Sequence, residues 1–384
     1  MKKQPLVSVF IPYYNDRQYL KKSIESVLKQ TYKNFELILC NHATTDDCRE
    51  IAHSYKDKRI KHVDMERNEG AGGGLVFQAM LDAARGKYIK TLCADDMLRP
   101  KCLEIMVDYM EKHPKVDFAF GNLEYIDDKG RLLHDNWFNQ RPGFDINDKE
   151  PELIRKYSNF KSVLPYIGNI SKREIFDNIE INKTLVMTFD MSLWLQLMCR
   201  GYHVAFIDEK IANYRIHSGQ MSAVDKLAMA GYISWFENGI LLLYLMNIND
   251  VKLARAVFPN NIYAKKLKNV RDIPFFVCVE LFNKWKPVFD LPLNEMLNND
   301  KTRARLMKNF GFGVKELREL RKSDFHYAAP IAQYVPPKGM KQKIYHSIVP
   351  DMKSPSLIFL LLRRLFKFVT FDKYRHHKVK KYSL

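Results

Sequence analysis

Over the first third of this chain, short apolar runs alternate with stretches of helical spacing, and this pattern limits the possible folds more than any other feature. Residues 6–11 (LVSVFI) are apolar and β-branched and stop at Pro12. A helix follows, with Leu20, Ile24, Val27 and Leu28 at helical spacing and Asn15 or Asp16 as its cap. Residues 35–40 (FELILC), 60–65, 87–92 and 116–122 read as further strands. The intervening helices are expected over 44–55, 74–84 and 99–113. Repeated βα units predict an α/β fold, a mostly parallel sheet with helices on both faces. Ligands of such sheets bind beyond the carboxyl ends of the strands. The polar segments after the first, second and fourth strands are Tyr13-Tyr14-Asn15-Asp16, residues 41–47, and Asp95-Asp96. On parallel strands all three open onto one edge.

The adjacent carboxylates Asp95 and Asp96 have two readings. An aspartate ahead of Met97-Leu98-Arg99-Pro100 can cap a helix, and proline suits a first turn. Paired carboxylate oxygens also suit a hard divalent cation. The convergence of polar segments on one edge favours the second reading over simple capping.

Downstream, Asp127-Asp128-Lys129-Gly130 reads as a hairpin turn. Residues 135–165 lack clear periodicity and are expected to form a substrate-facing insertion. A helix over 191–200 carries Leu193, Trp194, Leu197 and Met198 on its apolar side. Beyond Ser222 the pattern becomes helical, which gives three expected regions. These are an α/β catalytic domain (1–222), a helical region with acceptor or oligomer contacts (223–340), and a basic amphipathic tail (341–384). No oligomeric state is legible.

Hydrophobic residues at 46% and charged residues at 28% are globular values. The longest apolar runs fall far short of the ~20 residues of a membrane span, and no signal peptide is evident. The six cysteines are scattered without C-x-x-C spacing, which predicts free thiols in a reducing cytosol. The net charge of +18 implies acidic partners, and residues 340–384 carry a net +9 of it. In that tail Leu357, Leu361, Leu365 and Phe368 line one side of SPSLIFLLLRRLFKFV, while Arg363, Arg364 and Lys367 lie mostly on the other. Two readings stand: a helix packed on the protein's own core, or an interfacial helix on the anionic cytoplasmic leaflet.

Four segments in order, VSVFIPYYN, SIESVLKQTYKNFELIL, GKYIKTLCADD and FDMSLWLQLMCRGYHVAFIDEKIANYRIHSGQMS, resemble the inverting nucleotide-sugar transferases of glycosyltransferase family 2. That family has the GT-A fold, and the resemblance covers residues 5–222. It implies a UDP-sugar donor and a divalent Mn²⁺ or Mg²⁺ ion that neutralises the diphosphate leaving group. With no recognisable nucleic-acid-binding module, nucleic acid is not an expected partner. The acceptor would be a glycan or lipid-linked hydroxyl of a bacterial surface glycan, reached from the cytoplasmic face of the membrane.

Carried onto this sequence, the resemblance makes Asp95 and Asp96 carboxylate contacts of the ion, Asp96 the more direct one and Asp95 part of the sugar-nucleotide site. His217 approaches the metal or diphosphate from the far side, and Arg215 pairs with phosphate oxygens. Pro12, Tyr13, Asn15, Asn41 and His42 fall on the nucleotide. Tyr13 is expected near the base or ribose, and Tyr14 as core support. Asp190 takes the place of the general base, with first-turn capping of its helix as the alternative role. Departures from the pattern are Cys93 for the first aspartate of D-x-D-D, Phe189 for the glutamate before Asp190, and Asn41-His42 for an aspartate pair. They leave open a relative that binds sugar nucleotides without turnover. The glycine-rich run 68–79 fits either an anion-binding helix start or a flexible turn. A dinucleotide-dependent oxidoreductase is disfavoured because IPYYN stands where its glycine motif belongs.

Overall fold

A computed structural model of the chain describes residues 4–68, 73–136, 138, 144–159, 164–220, 237–282 and 286–311. The expected amphipathic tail and most of the glycine-rich turn, residues 69–72, lie outside them. Among the described residues, nine strands form one sheet: β1 (Val7–Tyr13), β2 (Phe35–Asn41), β3 (Ile60–Asp64), β4 (Tyr88–Thr91), β5 (Met97–Leu98), β6 (Phe118–Ile126), β7 (Leu132–His134), β8 (Asn169–Lys172) and β9 (Val204–Arg215). The order is β3-β2-β1-β4-β8-β6-β9-β5, with β7 beside β6.

The βα units place β1 to β4 parallel to one another. Beyond them the sheet is mixed. β8 is antiparallel to both β4 and β6, and β9 runs parallel to β6. It follows that β4, β6 and β9 point the same way, so the carboxyl end of β9 meets those of β1, β2 and β4 at one edge. A β6–β7 hairpin turns at Gly130, whose φ of +88° is the left-handed conformation expected there.

Helices α1 (Leu20–Leu28), α2 (Cys48–Ser54), α3 (Gly74–Ala83) and α4 (Cys102–Lys112) follow the expected pattern to within a few residues. The exception decides the question of Asp95 and Asp96. Met97 and Leu98 are a strand paired with Asn213 and Ala212 of β9, and α4 begins only at Cys102. The two aspartates therefore cap no helix. Nor do Asn15 and Asp16 cap α1 through their side chains; the Asp16 carbonyl accepts from the backbone of Tyr19 and Leu20.

After α5 (Glu150–Ser158) comes α6 (Phe189–Cys199), which is buried on nearly every side. Trp194 is fully buried and sits against Phe118 and Phe120 of β6 at ring distances of 5.9 and 5.2 Å. Aromatic burial of this size dominates local packing energy and fixes α6 on the sheet. The chain divides into two compact units, Met1–Val257 and Phe258–Leu384, and α7 (Val251–Val257) closes the first. In the second are α8 (Ile273–Phe282), α9 (Lys286–Asn298) and α10 (Asp300–Phe310). Its α8 is almost wholly apolar and buried, and buried Asp272 accepts from Arg305 and Asn309 of α10 at 2.8 and 2.9 Å. Among the described residues no helix is long and apolar enough to cross a membrane.

Candidate active site

The turn between β4 and β5 carries Cys93, Asp95 and Asp96, whose donor atoms all lie within 4.8 Å of one another. Two bonds set the shape of this turn: the Cys93 carbonyl accepts from Ser23 Oγ at 3.1 Å and from the Asp96 amide at 3.2 Å. Asp96 is 1% exposed. Its Oδ1 accepts from the Arg215 amide at 2.7 Å, but its Oδ2 is buried with no hydrogen-bond partner among the described residues. Burial, and then the charge of Asp95, push Asp96 well above the usual carboxylate range; Arg215 and Lys90 act in the opposite direction. Lys90 is itself fully buried beneath the turn, donating to the carbonyls of Thr91 and Ile167 at 2.9 and 2.5 Å. A buried, half-partnered carboxylate beside a second one is an unfavourable arrangement in an apolar setting. A divalent cation would satisfy the orphan oxygen and offset the repulsion, so these residues fit one.

Arg215 ends β9, and His217 follows two residues on. Arg215 is 1% exposed, and its guanidinium donates to the carbonyls of Asp95, Asp127 and Asp128 at 2.8, 3.0 and 3.1 Å. Of the donors expected to face phosphate, Nε and Nη1 are engaged by the protein's own backbone. Most of its donors tie the β4–β5 turn to the β6–β7 hairpin, and Nη2 alone lacks a partner among the described residues. His217 Nε2 lies 3.1 Å from Asp95 Oδ2 and its ring packs 4.7 Å from that of Tyr19. The histidine therefore faces Asp95 at the rim of the turn that gathers Cys93, Asp95 and Asp96. Tyr19 supports both groups from below, with the Arg215 guanidinium 4.8 Å from its ring centre and its hydroxyl bonded to Asp128.

Asp190 lies in the first turn of α6, where its Oδ1 accepts from the Met191 amide at 2.8 Å, while Thr188 occupies the cap position. Burial pushes its carboxyl up to about 6. The thiol of Cys93 is raised by burial and then by the charges of Asp96, Asp95, Asp16 and Asp190. In the sequence Asp16 stands both as a candidate cap and in the polar segment after the first strand. Its carboxyl is raised to about 6 by burial, with Asp95 and Asp46 adding to the effect.

On the nucleotide side two expectations exchange places. The pleat of β1 sends Tyr13 into the core at 2% exposure, while Tyr14 stands 42% exposed, with its ring 6.2 Å from that of His42. Tyr14 and His42, not Tyr13, therefore form the accessible aromatic surface beside half-buried Pro12. Asn15 and Asn41 are fasteners. The Asn15 amide oxygen accepts from Thr44 Oγ1 and the Thr45 amide, both at 2.9 Å. Asn41 accepts from the Thr44 amide at 2.8 Å and donates to Asp64 at 2.9 Å. Its oxygen already serves the loop that it was expected to leave for a base.

The family model described as glycosyl transferase family 2 matches residues 8–168. The glycosyltransferase MJ1057 of Methanocaldococcus jannaschii is 31% identical over 235 residues, 60% of this chain and 78% of that protein. The chain belongs to glycosyltransferase family 2. Its sheet has the GT-A arrangement that the resemblance implied. A second relative is WfaP of Escherichia coli, a UDP-Glc:alpha-D-GlcNAc-diphosphoundecaprenol beta-1,3-glucosyltransferase. It is 28% identical over 221 residues, 57% of this chain and 80% of WfaP.

In this glycosyltransferase the substitution at Phe189 is absorbed by the core, where the ring lies 5.5 Å from Phe77 and beneath Gly73. The next glycine is needed for packing: a Cβ on Gly74 would stand 2.2 Å from the Asn182 carbonyl. A buried carboxylate does approach this loop, but from a distant position. Glu237 accepts from the amides of Val186, Met187 and Thr188 at 2.5, 2.8 and 2.9 Å, and from Thr188 Oγ1 at 3.0 Å. It thereby fixes the entry to the helix that carries Asp190. No local sequence signal marks it, because its partners lie about fifty residues away. Glu237→Ala strands three amides, each at a cost of ~1–3 kcal/mol where buried. It should lower both thermal stability and transfer rate, whereas Glu237→Gln, which keeps an acceptor oxygen, should lose less of each. Parental melting temperature and turnover in both variants would rule out the role.

Proposed function

We propose that this glycosyltransferase moves a sugar, with inversion, from a UDP-sugar to a hydroxyl of a glycan or lipid-linked acceptor in bacterial surface-glycan synthesis, assisted by Mn²⁺ or Mg²⁺. The observation that carries this reading is the orphan Oδ2 of buried Asp96 beside Asp95 at the sheet edge. When bound there, the cation supplies Lewis-acid stabilisation of the diphosphate leaving group. Asp96 and Asp95 hold it, His217 orients Asp95, and Arg215 keeps the turn in place through Asp95, Asp127 and Asp128. Asp190 takes the proton of the acceptor hydroxyl as that oxygen attacks the anomeric carbon from the face opposite the leaving group. Tyr14 and His42 offer the surface on which a base can lie.

The name of WfaP supports both a UDP-linked donor and a diphosphoundecaprenol-linked acceptor. Residues 135–165 and the helices after Val257 are assigned to the acceptor. Release of free nucleoside diphosphate from a donor panel, with and without Mn²⁺, tests the reading. Cation-dependent UDP release is expected, and binding of donors without any release would favour a non-catalytic relative.

The tail is assigned to the cytoplasmic leaflet on its charge and spacing alone. Removing the residues after Lys353 should abolish flotation with anionic vesicles at low salt and leave donor hydrolysis largely intact. Failure of the full-length protein to bind such vesicles would assign the tail to its own core.

A further inference from the structure

We infer that Cys93 gives the cation site a sulfur donor, so that this centre takes thiophilic divalent ions more tightly than a site built from carboxylates alone. The inference rests on the cation reading of Asp95 and Asp96. Its geometric basis is the shared space of the Cys93 Sγ and the two carboxylate oxygens, all within 4.8 Å of one another. Metal bonds of about 2.0–2.3 Å to oxygen and sulfur put the donors of a tetrahedral ion about 3.3–3.8 Å apart, so side-chain rotations that contract the set by about 1 Å close it. The independent sign of a ligand is Asp96 Oδ2, buried and unpartnered in the same turn.

Backbone bonds favour the arrangement. The Cys93 carbonyl is held by Ser23 Oγ and the Asp96 amide, which fixes the backbone of the turn from which its Sγ lies near the two carboxylates. The residue is partly exposed, whereas the other free cysteines, Cys40, Cys48, Cys102, Cys199 and Cys278, are buried. On ligation the metal–sulfur bond forms as the S–H bond breaks, and the proton leaves to solvent. Soft thiolate favours Zn²⁺ and Co²⁺ over Mg²⁺ and Mn²⁺, for which oxygen is the better donor. The substitution of Cys93 for a carboxylate therefore alters which ion is held most tightly.

Titration of the full-length protein with Co²⁺ reads the sulfur bond directly. The parent should develop a sulfur-to-cobalt charge-transfer band in the near ultraviolet that is missing from Cys93→Ser and from Asp96→Asn. Competition with a chromophoric chelator should show Zn²⁺ affinity falling at least tenfold in Cys93→Asp, with Mn²⁺ affinity equal or higher. A third readout needs no variant: Zn²⁺, but not Mg²⁺, should slow alkylation of Cys93 in the parent at least tenfold, read by peptide mass spectrometry. No charge-transfer band in the parent, or the same band in Cys93→Ser, overturns the inference. If Mn²⁺ still promotes UDP binding in that case, only the sulfur ligand is lost. If the parent binds neither ion, the cation reading falls with it.

Discussion

Asp190→Asn should slow sugar transfer by ~10²–10⁴-fold, the usual worth of a general base, with little change in affinity for UDP. The asparagine keeps the oxygen that accepts from the Met191 amide, and Trp194 still anchors α6, so the helix stays in place. Basicity alone is removed. Burial raises the Asp190 carboxyl to about 6, so the parent's rate should climb as pH rises through that value and level off above it. A bound cation would shift this limb to lower pH, and the residual rate of the variant should lack it. The same shift has a sign for stability. Between the ordinary value of 3.8 and about 6 the folded protein binds more protons than the unfolded chain, so the contribution of Asp190 to stability falls as pH rises through that window. Asp190→Asn should therefore melt higher than the parent at pH 7.5 while transferring far more slowly. A variant with the parent's rate and pH profile would leave Asp190 as a helix-start residue only.

Asp96→Asn should remove the Mn²⁺-dependent part of UDP binding and lower transfer by at least the ~10²–10³-fold associated with losing one electrostatic stabiliser of a transition state. Asparagine can still accept from the Arg215 amide through its oxygen, which preserves the link between the β4–β5 turn and β9. The charge that the buried Oδ2 offers to a cation is lost. In the absence of metal the variant should be the more stable protein, because the like charge facing Asp95 is gone. Thermal shift with UDP, with and without Mn²⁺, separates these effects. An unchanged Mn²⁺-dependent shift in the variant would remove Asp96 from the cation site.

The βα repeat made the parallel half of the sheet legible, because buried strands and amphipathic helices leave different periodicities. It could not reveal β5, since two residues are too short for any period, and β5 is the element that separates Asp95 and Asp96 from helix capping. β8 and β9 give the mixed half its topology through pairings distant in sequence. Motif order singled out Asp95, Asp96, Asp190 and His217, of which Asp95 and Asp96 share the β4–β5 turn and His217 lies 3.1 Å from Asp95. Motif matching does not report which atoms are already engaged, and so Asn15, Asn41 and Arg215 were expected on the ligand although their polar atoms bind the protein's own loops. The exchange of Tyr13 and Tyr14 is a matter of pleat direction, where a shift of one residue reverses which side chain is buried. Glu237 acts across folded distance, and no local pattern announces it.

The central claim is that nucleotide binding at this sheet edge depends on a cation held by Asp95 and Asp96. Isothermal titration of UDP into the full-length protein, in Mn²⁺ and in EDTA, tests it most directly. The expected result is binding at least tenfold tighter with Mn²⁺, with that difference lost in Asp96→Asn. Equal affinity for UDP in Mn²⁺ and in EDTA would contradict it.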